Sequence, residues 1–71
     1  DIFNISLISE QEQNFTLRVL NMLGEELIKE DVQQFEGEYV KSINLNQYEK
    51  AIYLLEIITD KGIINKKLIL Q

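Results

Sequence analysis

The stretch that decides the fold is LNQYEKAIYLLEIITDKGIINKKLILQ, residues 45–71. It contains two apolar runs, at 52–59 and 63–70, and a short segment that ends at Gly62 separates them. Apolar runs of this length, rich in isoleucine and leucine and joined by a short Asp/Gly turn, are typical of a β-hairpin. Because both runs are strongly apolar, we expect the upstream residues to cover both faces of this hairpin.

Alternating apolar and polar residues upstream predict further strands. The alternation occurs in residues 1–7, 15–22 and 38–45, and a period of two is that of a half-buried strand. Polar segments at 8–14 and 33–38 lie between these runs and are predicted to be turns. Five to seven short strands in a chain of this length indicate a small β-sandwich.

The segment 25–32 fits two structures. Ile28 and Val32 are four residues apart and would share one stripe of a helix. Gly24, which is expected to adopt a positive φ in a turn, would instead make the segment the second strand of a hairpin. We favour the strand; in the helical alternative, residues 25–35 and 48–60 both form helices.

Length and composition restrict both fold and function. A chain of 71 residues makes one domain, and a domain of this size buries only about 60% of its unfolded surface, so we expect modest stability. The sequence has no cysteine and no histidine, which removes disulfides, thiolate metal sites and the commonest general base. The net charge of −5 argues against a nucleic-acid partner, which requires a basic face.

The sequence carries no recognisable membrane or leader segment. No apolar run reaches the roughly 20 residues that span a bilayer, so no membrane insertion is expected. The first ten residues lack the basic start of a signal peptide. An export signal would therefore lie elsewhere in a longer precursor or be of another kind.

The carboxylates are the only abundant reactive groups, and their pattern does not predict an enzyme. Neighbours such as Glu25-Glu26 and Glu30-Asp31 point to opposite faces of a strand, so neither pair converges on one site. Calcium-loop spacing is absent, and no serine has a histidine or lysine partner in a catalytic motif. We expect no catalytic, cofactor-binding or metal-binding residues, and a solvated acidic surface.

Tyr53, Lys66 and Lys67 each have two interpretations. Tyr53 follows the corner at 46–50, where immunoglobulin-like sandwiches often place a tyrosine whose hydroxyl bonds back to the corner backbone; the alternative is packing alone. Lys66 and Lys67 lie in the last strand, where lysines commonly protect an exposed edge. The alternative is a basic spot that a partner recognises.

Several short motifs together resemble one known family. They are LNMLGE at 20–25, INLN at 43–46, KAIYLLEI at 50–57, and Gly62 followed by KKLILQ at 66–71. In order, spacing and position at the chain end they resemble the type A C-terminal sorting domain of the bacterial type IX secretion system, over about residues 2–71. Two features depart from the family: Ala51 stands where glycine is usual, and the opening Pro-Asn-Pro segment is absent.

The resemblance implies a seven-stranded, immunoglobulin-like antiparallel β-sandwich that occupies residues 1–71 as a single sorting domain at the end of a larger secreted protein. Such a domain catalyses nothing. It is recognised by the outer-membrane translocon of a Gram-negative bacterium, guides its N-terminal passenger from the periplasm to the surface or medium, and is typically removed by a sortase-like peptidase. The alternative is an immunoglobulin-like or fibronectin-like adhesion or spacer module that stays on the mature protein.

The resemblance also assigns roles to residues. It gives Gly24 and Tyr53 structural roles, and it favours recognition over edge protection for the two lysines. The residues expected to carry the sorting information are Gly62, Lys66, Lys67, Leu68, Ile69, Leu70 and Gln71.

Overall fold

The computed structural model describes residues 2–71, which form four strands. The strands are β1 (Ile2–Leu20), β2 (Glu26–Asn44), β3 (Ile52–Thr59) and β4 (Gly62–Ile69). They make one antiparallel sheet in the order β2-β1-β3-β4. The predicted all-β class and C-terminal hairpin are confirmed, and the helical alternative is wrong, since residues 25–35 and 48–60 contain no helix.

The strand count differs from the expected seven. The polar segments at 8–14 and 33–38 were predicted to be turns, but the chain remains in strand conformation through both. Each of β1 and β2 therefore joins two of the predicted strands into one strand of 19 residues. The polar segments did not end these strands because the pairing of β1 with β2 resumes on both sides of them, with shifts of register at Gln13.

The long hairpin of β1 and β2 bends back on itself. At about 3.3 Å per residue, a straight strand of this length would extend for about 60 Å, whereas the largest dimension of the molecule is 36 Å. Within β2, the Tyr39 hydroxyl donates a hydrogen bond to Glu30, and Lys41 Nζ lies 3.1 Å from a Glu30 carboxylate oxygen. In a straight strand, residues 30 and 39 would be about 30 Å apart.

In β1, the polar residues of the bend bond to one another. The Ser9 hydroxyl is buried; it donates to the Gln11 carbonyl at 2.6 Å and accepts from Gln13 Nε2 at 2.7 Å. The pairing with β2 shifts register on both sides of Gln13. Irregularities of this kind bend a strand and increase its twist, so the polar segment produces a bend where a turn was predicted.

In β2, two residues with positive φ make the matching bend. Gln34 has a φ of +52° and Gly37 a φ of +108°. Residues other than glycine rarely adopt the backbone conformation of Gln34. The backbone N–H of Gln34 donates a hydrogen bond to Asn14 Oδ1 of β1 at 2.8 Å. This bond holds the unusual backbone of one strand against the other.

Both halves of β1 contribute to one apolar core. Three rings pack edge to face at the bend, with centroids of Phe15 and Tyr39 5.1 Å apart and Phe35 5.9 and 5.6 Å from these two, the geometry that aromatic pairs prefer. Phe3, Ile5 and Leu7 of the first half pack against the same core. The buried residues of this core are Phe15, Leu17, Val19, Ile43, Leu45, Tyr53, Leu55, Ile57, Leu68 and Leu70.

The outer face of the β3–β4 hairpin is not covered, contrary to expectation. Ile63 and Ile69 lie on this face and are 58% and 54% exposed. The bent hairpin covers only the inner face, because β1 and β2 otherwise extend the same sheet sideways. Ile63 and Ile69 therefore remain accessible on β4, with Asn65 and Lys67 between them on the same face.

The predicted tyrosine corner is confirmed. The Tyr53 hydroxyl donates to the Glu49 carbonyl at 2.6 Å, and the ring is buried in the core. This bond fixes the segment between β2 and β3 to the start of β3. The Tyr48 ring lies beside it, with centroids 6.2 Å apart.

Replacing Gly62 by valine should lower the free energy of unfolding by about 1–3 kcal/mol. Gly62 has a φ of +138°, as expected for the hairpin turn. A positive φ is strongly disfavoured for a β-branched residue. A side chain there would meet no neighbouring atom, so the cost comes from the backbone alone. Urea unfolding measures the loss; Lys61→Val, at a turn position without positive φ, is the control, and equal midpoints for both variants would contradict this account.

Replacing Tyr53 by phenylalanine should lower the free energy of unfolding by about 0.5–1.5 kcal/mol, the usual net contribution of one hydrogen bond. Tyr48→Phe is the matched control, since the Tyr48 hydroxyl makes no hydrogen bond within residues 2–71. Thermal unfolding of both variants gives the comparison. A larger loss for Tyr48→Phe than for Tyr53→Phe would show that the corner bond does not stabilise the fold.

Candidate recognition surface

The strand β4, which contains most of the predicted sorting residues, lies at an edge of the sheet. It pairs only with β3, so its outward N–H and C=O groups have no strand partner among residues 2–71. Gly62 begins the strand, and Lys66 and Lys67 are exposed on it. An unpaired edge of this kind can add a strand from another chain.

The C-terminal residues divide into buried and displayed groups. Leu68 and Leu70 are buried in the core, whereas Ile69 and Gln71 are exposed. The Leu70 N–H donates to the Ala51 carbonyl at 2.9 Å, which holds the end of the chain against the start of β3. Removing this end would therefore remove core as well as surface.

The placement of Lys66 and Lys67 agrees with both of their predicted roles. They lie opposite Leu55 and Leu54 of β3, and β4 contains no acidic residue. Lysines in this position hinder pairing with another basic edge and also give the edge a positive charge. Their role in sorting remains a prediction.

A cleft of about 380 Å³ separates β4 from the first half of β1. β1 pairs with β2 along most of its length but with β3 only from Phe15 to Leu20. Its first half, which we call the β1 arm (residues 2–9), therefore has one edge without a strand partner in the described chain. The cleft is lined by Phe3, Asn4, Ile5, Ser6, Leu7, Leu55, Ile57, Ile64, Lys66, Lys67 and Leu68.

The lining shows that the cleft runs along strand edges. Consecutive residues of a strand point to opposite faces, so a space that contacts only one face touches alternate residues. This cleft touches five consecutive residues of the β1 arm and residues 66–68 of β4. The unpaired edges of the β1 arm and of β4 therefore border it, and apolar side chains of the core form its floor.

An ion-pair belt crosses the outer face of the sheet. Arg18 Nε lies 2.9 Å from a Glu56 carboxylate oxygen, and its terminal nitrogen lies 3.5 Å from Glu26. The Nε–H is not aligned for a linear hydrogen bond, although it is buried, so this contact is primarily electrostatic. The belt ties β1 to both of its neighbours, and its Glu56 lies opposite Asn65 of β4.

The tip of the β1–β2 hairpin presents two apolar side chains. Met22 and Leu23 are 72% and 86% exposed. The Asn21 side chain holds the turn, because its Oδ1 accepts from the N–H groups of Leu23 and Glu25 at 3.0 and 2.9 Å. Gly24 has a φ of +85°, which confirms the predicted turn.

Within residues 2–71, no group of three or more carboxylates could hold a metal ion. The Glu30 carboxylate is bonded to Tyr39 and Lys41, and the Arg18 belt engages those of Glu26 and Glu56. The described residues include no helix long and apolar enough to cross a membrane.

The alternating pattern of the β1 arm predicted an ordinary half-buried strand and not part of a surface site. A local pattern does not show that β3 leaves one side of this strand unpaired. One signal was present: residues 2–9 carry no charged side chain, although an unpaired edge is commonly protected by charge.

The family described as the secretion system C-terminal sorting domain matches residues 1–71. No curated protein and no solved structure gives a significant match. The chain belongs to the C-terminal sorting domain family of the type IX secretion system.

Proposed function

We propose that this chain is a non-catalytic sorting domain that directs an attached passenger across the outer membrane and is then removed. The observation that carries the proposal is the position of β4. The strand with the terminal family pattern is an edge strand, and its last residues are held against the core by the bond from Leu70 to Ala51. A translocon component that binds the folded domain could therefore recognise a terminal strand that is held in place against the core.

The proposal divides the predicted sorting residues by what they can do. Leu68 and Leu70 maintain the core, and Gly62 gives β4 its start and direction. Lys66, Lys67, Ile69 and Gln71 are exposed and are the groups that a translocon component would contact. Removal of the domain by a sortase-like peptidase and release to the surface or medium complete the proposed route.

We further propose that the bent sheet acts as an immunoglobulin-like sandwich, with residues 1–71 as one domain. The back-folding of β1 and β2 and the tyrosine corner at Tyr53 support this assignment. A domain of this kind needs no disulfide, cofactor or metal ion. It could fold before translocation and remain separable from its passenger.

A reporter with a periplasmic signal and residues 1–71 at its C-terminus should reach the surface or medium in a host with the type IX machinery. The domain should be absent from the released product. Cell fractionation and mass spectrometry measure both results. If the intact fusion stays in the periplasm while an established sorting domain exports the same reporter, the proposed function is wrong; export with the domain retained would favour the adhesion or spacer module.

Deleting residues 66–71 should stop this reporter in the periplasm, but the deletion also removes buried Leu68 and Leu70. Each buried side chain of this type contributes about 1.5–3 kcal/mol, so the truncated domain should also unfold. Lys66→Gln with Lys67→Gln separates the two effects, because surface substitutions change stability by about 0.5 kcal/mol or less. Export of a folded double variant at the parental rate would show that the lysines protect the edge and do not contribute to sorting.

A further inference from the structure

We propose that the cleft between the β1 arm and β4 accepts one extended, acidic peptide segment from a partner as an added β-strand. The proposal deepens the proposed function, on which its role in export rests, by naming the chemistry of the partner. The binding itself is a property of the isolated chain. It can therefore be tested without export.

The shape of the cleft favours a strand over a compact ligand. Backbone edges without a strand partner border it on two sides, from the β1 arm and from β4. A strand placed between them could pair with one edge or with both, since strands add to sheets through their main-chain groups. Its volume of about 380 Å³ is within the range of pockets that hold ligands.

The floor of the cleft selects alternating apolar side chains. Core residues Leu55, Ile57 and Leu68 form this floor, and Ile64 lies beside them as an exposed side chain. Because successive side chains of a strand point to opposite faces, a guest strand would place every second residue on this floor. Those residues are expected to be apolar.

The rim of the cleft selects negative charge. Among residues 2–71, Lys66 and Lys67 are the only charged residues that line it, and the β1 arm is uncharged. The described lining is therefore positive on a chain whose net charge is −5. Complementary charge favours the right partner and disfavours the wrong one. Since Lys66 is paired with the floor residue Leu55 and Lys67 with Leu54, the two lysines point to opposite faces, and carboxylates on the outward positions of the guest should face Lys67.

The same lysines explain why identical copies do not pair through this edge. Two β4 edges side by side would bring lysines of both copies together, and like charges oppose such pairing. An acidic strand meets no such repulsion. The lysine pair thus combines protection against self-association with selection of a partner of opposite charge.

The test uses the 71-residue chain and fluorescently labelled ten-residue peptides of alternating valine and threonine. The acidic probe has glutamate at two threonine positions, and the matched basic probe has lysine at both. A third probe is the acidic peptide with N-methylated amides, which cannot pair as a strand. Fluorescence anisotropy should show at least tenfold tighter binding of the acidic probe than of either control.

Two matched pairs of variants locate the binding. Lys66→Glu with Lys67→Glu should weaken binding of the acidic probe at least tenfold, whereas Lys29→Glu with Lys50→Glu, which changes the net charge equally, should change it less than twofold. Ile64→Asp should weaken binding, and Ile63→Asp on the opposite face should not. Circular dichroism establishes that each variant is folded.

Hydrogen exchange of the parental chain gives a readout that does not depend on any variant. The acidic probe should slow exchange of amides in residues 2–9 and 63–69 and leave β2 unchanged. Equal binding of acidic and basic probes, no binding of the acidic probe, or protection elsewhere would each overturn the inference. A chain that is exported but does not bind the acidic probe would leave the proposed function standing; binding without export would overturn that function alone.

Discussion

The bend in the β1–β2 hairpin is the constraint on which the rest of the structure depends. A domain of 71 residues has little chain with which to cover an apolar hairpin, and two straight 19-residue strands would cover it on neither face. Bending brings Phe3, Ile5 and Leu7 onto the core. The hydrogen bond from Tyr39 to Glu30, two residues of the same strand, is the clearest evidence of the bend.

The bend also has a consequence for the surface. Because the β1 arm leaves the plane in which β1 meets β3, it loses its second partner and faces β4 across an open cleft. Closed barrels have no such edges. Besides the outer edge of β2, the described chain retains two edges that face one another, that of the β1 arm and that of the terminal strand, which carries Lys66 and Lys67. The feature that completes the core thus also creates the surface that a partner could use.

Local sequence patterns predicted the features that depend on neighbours along the chain. Glycine at turns predicted the positive φ values of Gly24 and Gly62, and the position of Tyr53 after a polar corner predicted its bond to Glu49. The strand count failed because polar composition at 8–14 indicates irregular backbone without distinguishing a turn from a bent strand. The cleft was not predictable, since it arises from which strand edges remain unpaired, and pairing is a long-range property.

We propose that the edge of β4, and not the rest of the surface, contacts the export machinery. Site-specific photocrosslinking in a host with the type IX machinery tests it most directly, with a photoreactive residue at position 64, 66 or 67 of an exported fusion and at exposed positions 29 and 40 of β2 as controls. We expect crosslinks to an outer-membrane component from positions 64, 66 and 67 and none from positions 29 and 40. Equal crosslinks from all five positions, or crosslinks from β2 alone, would contradict it.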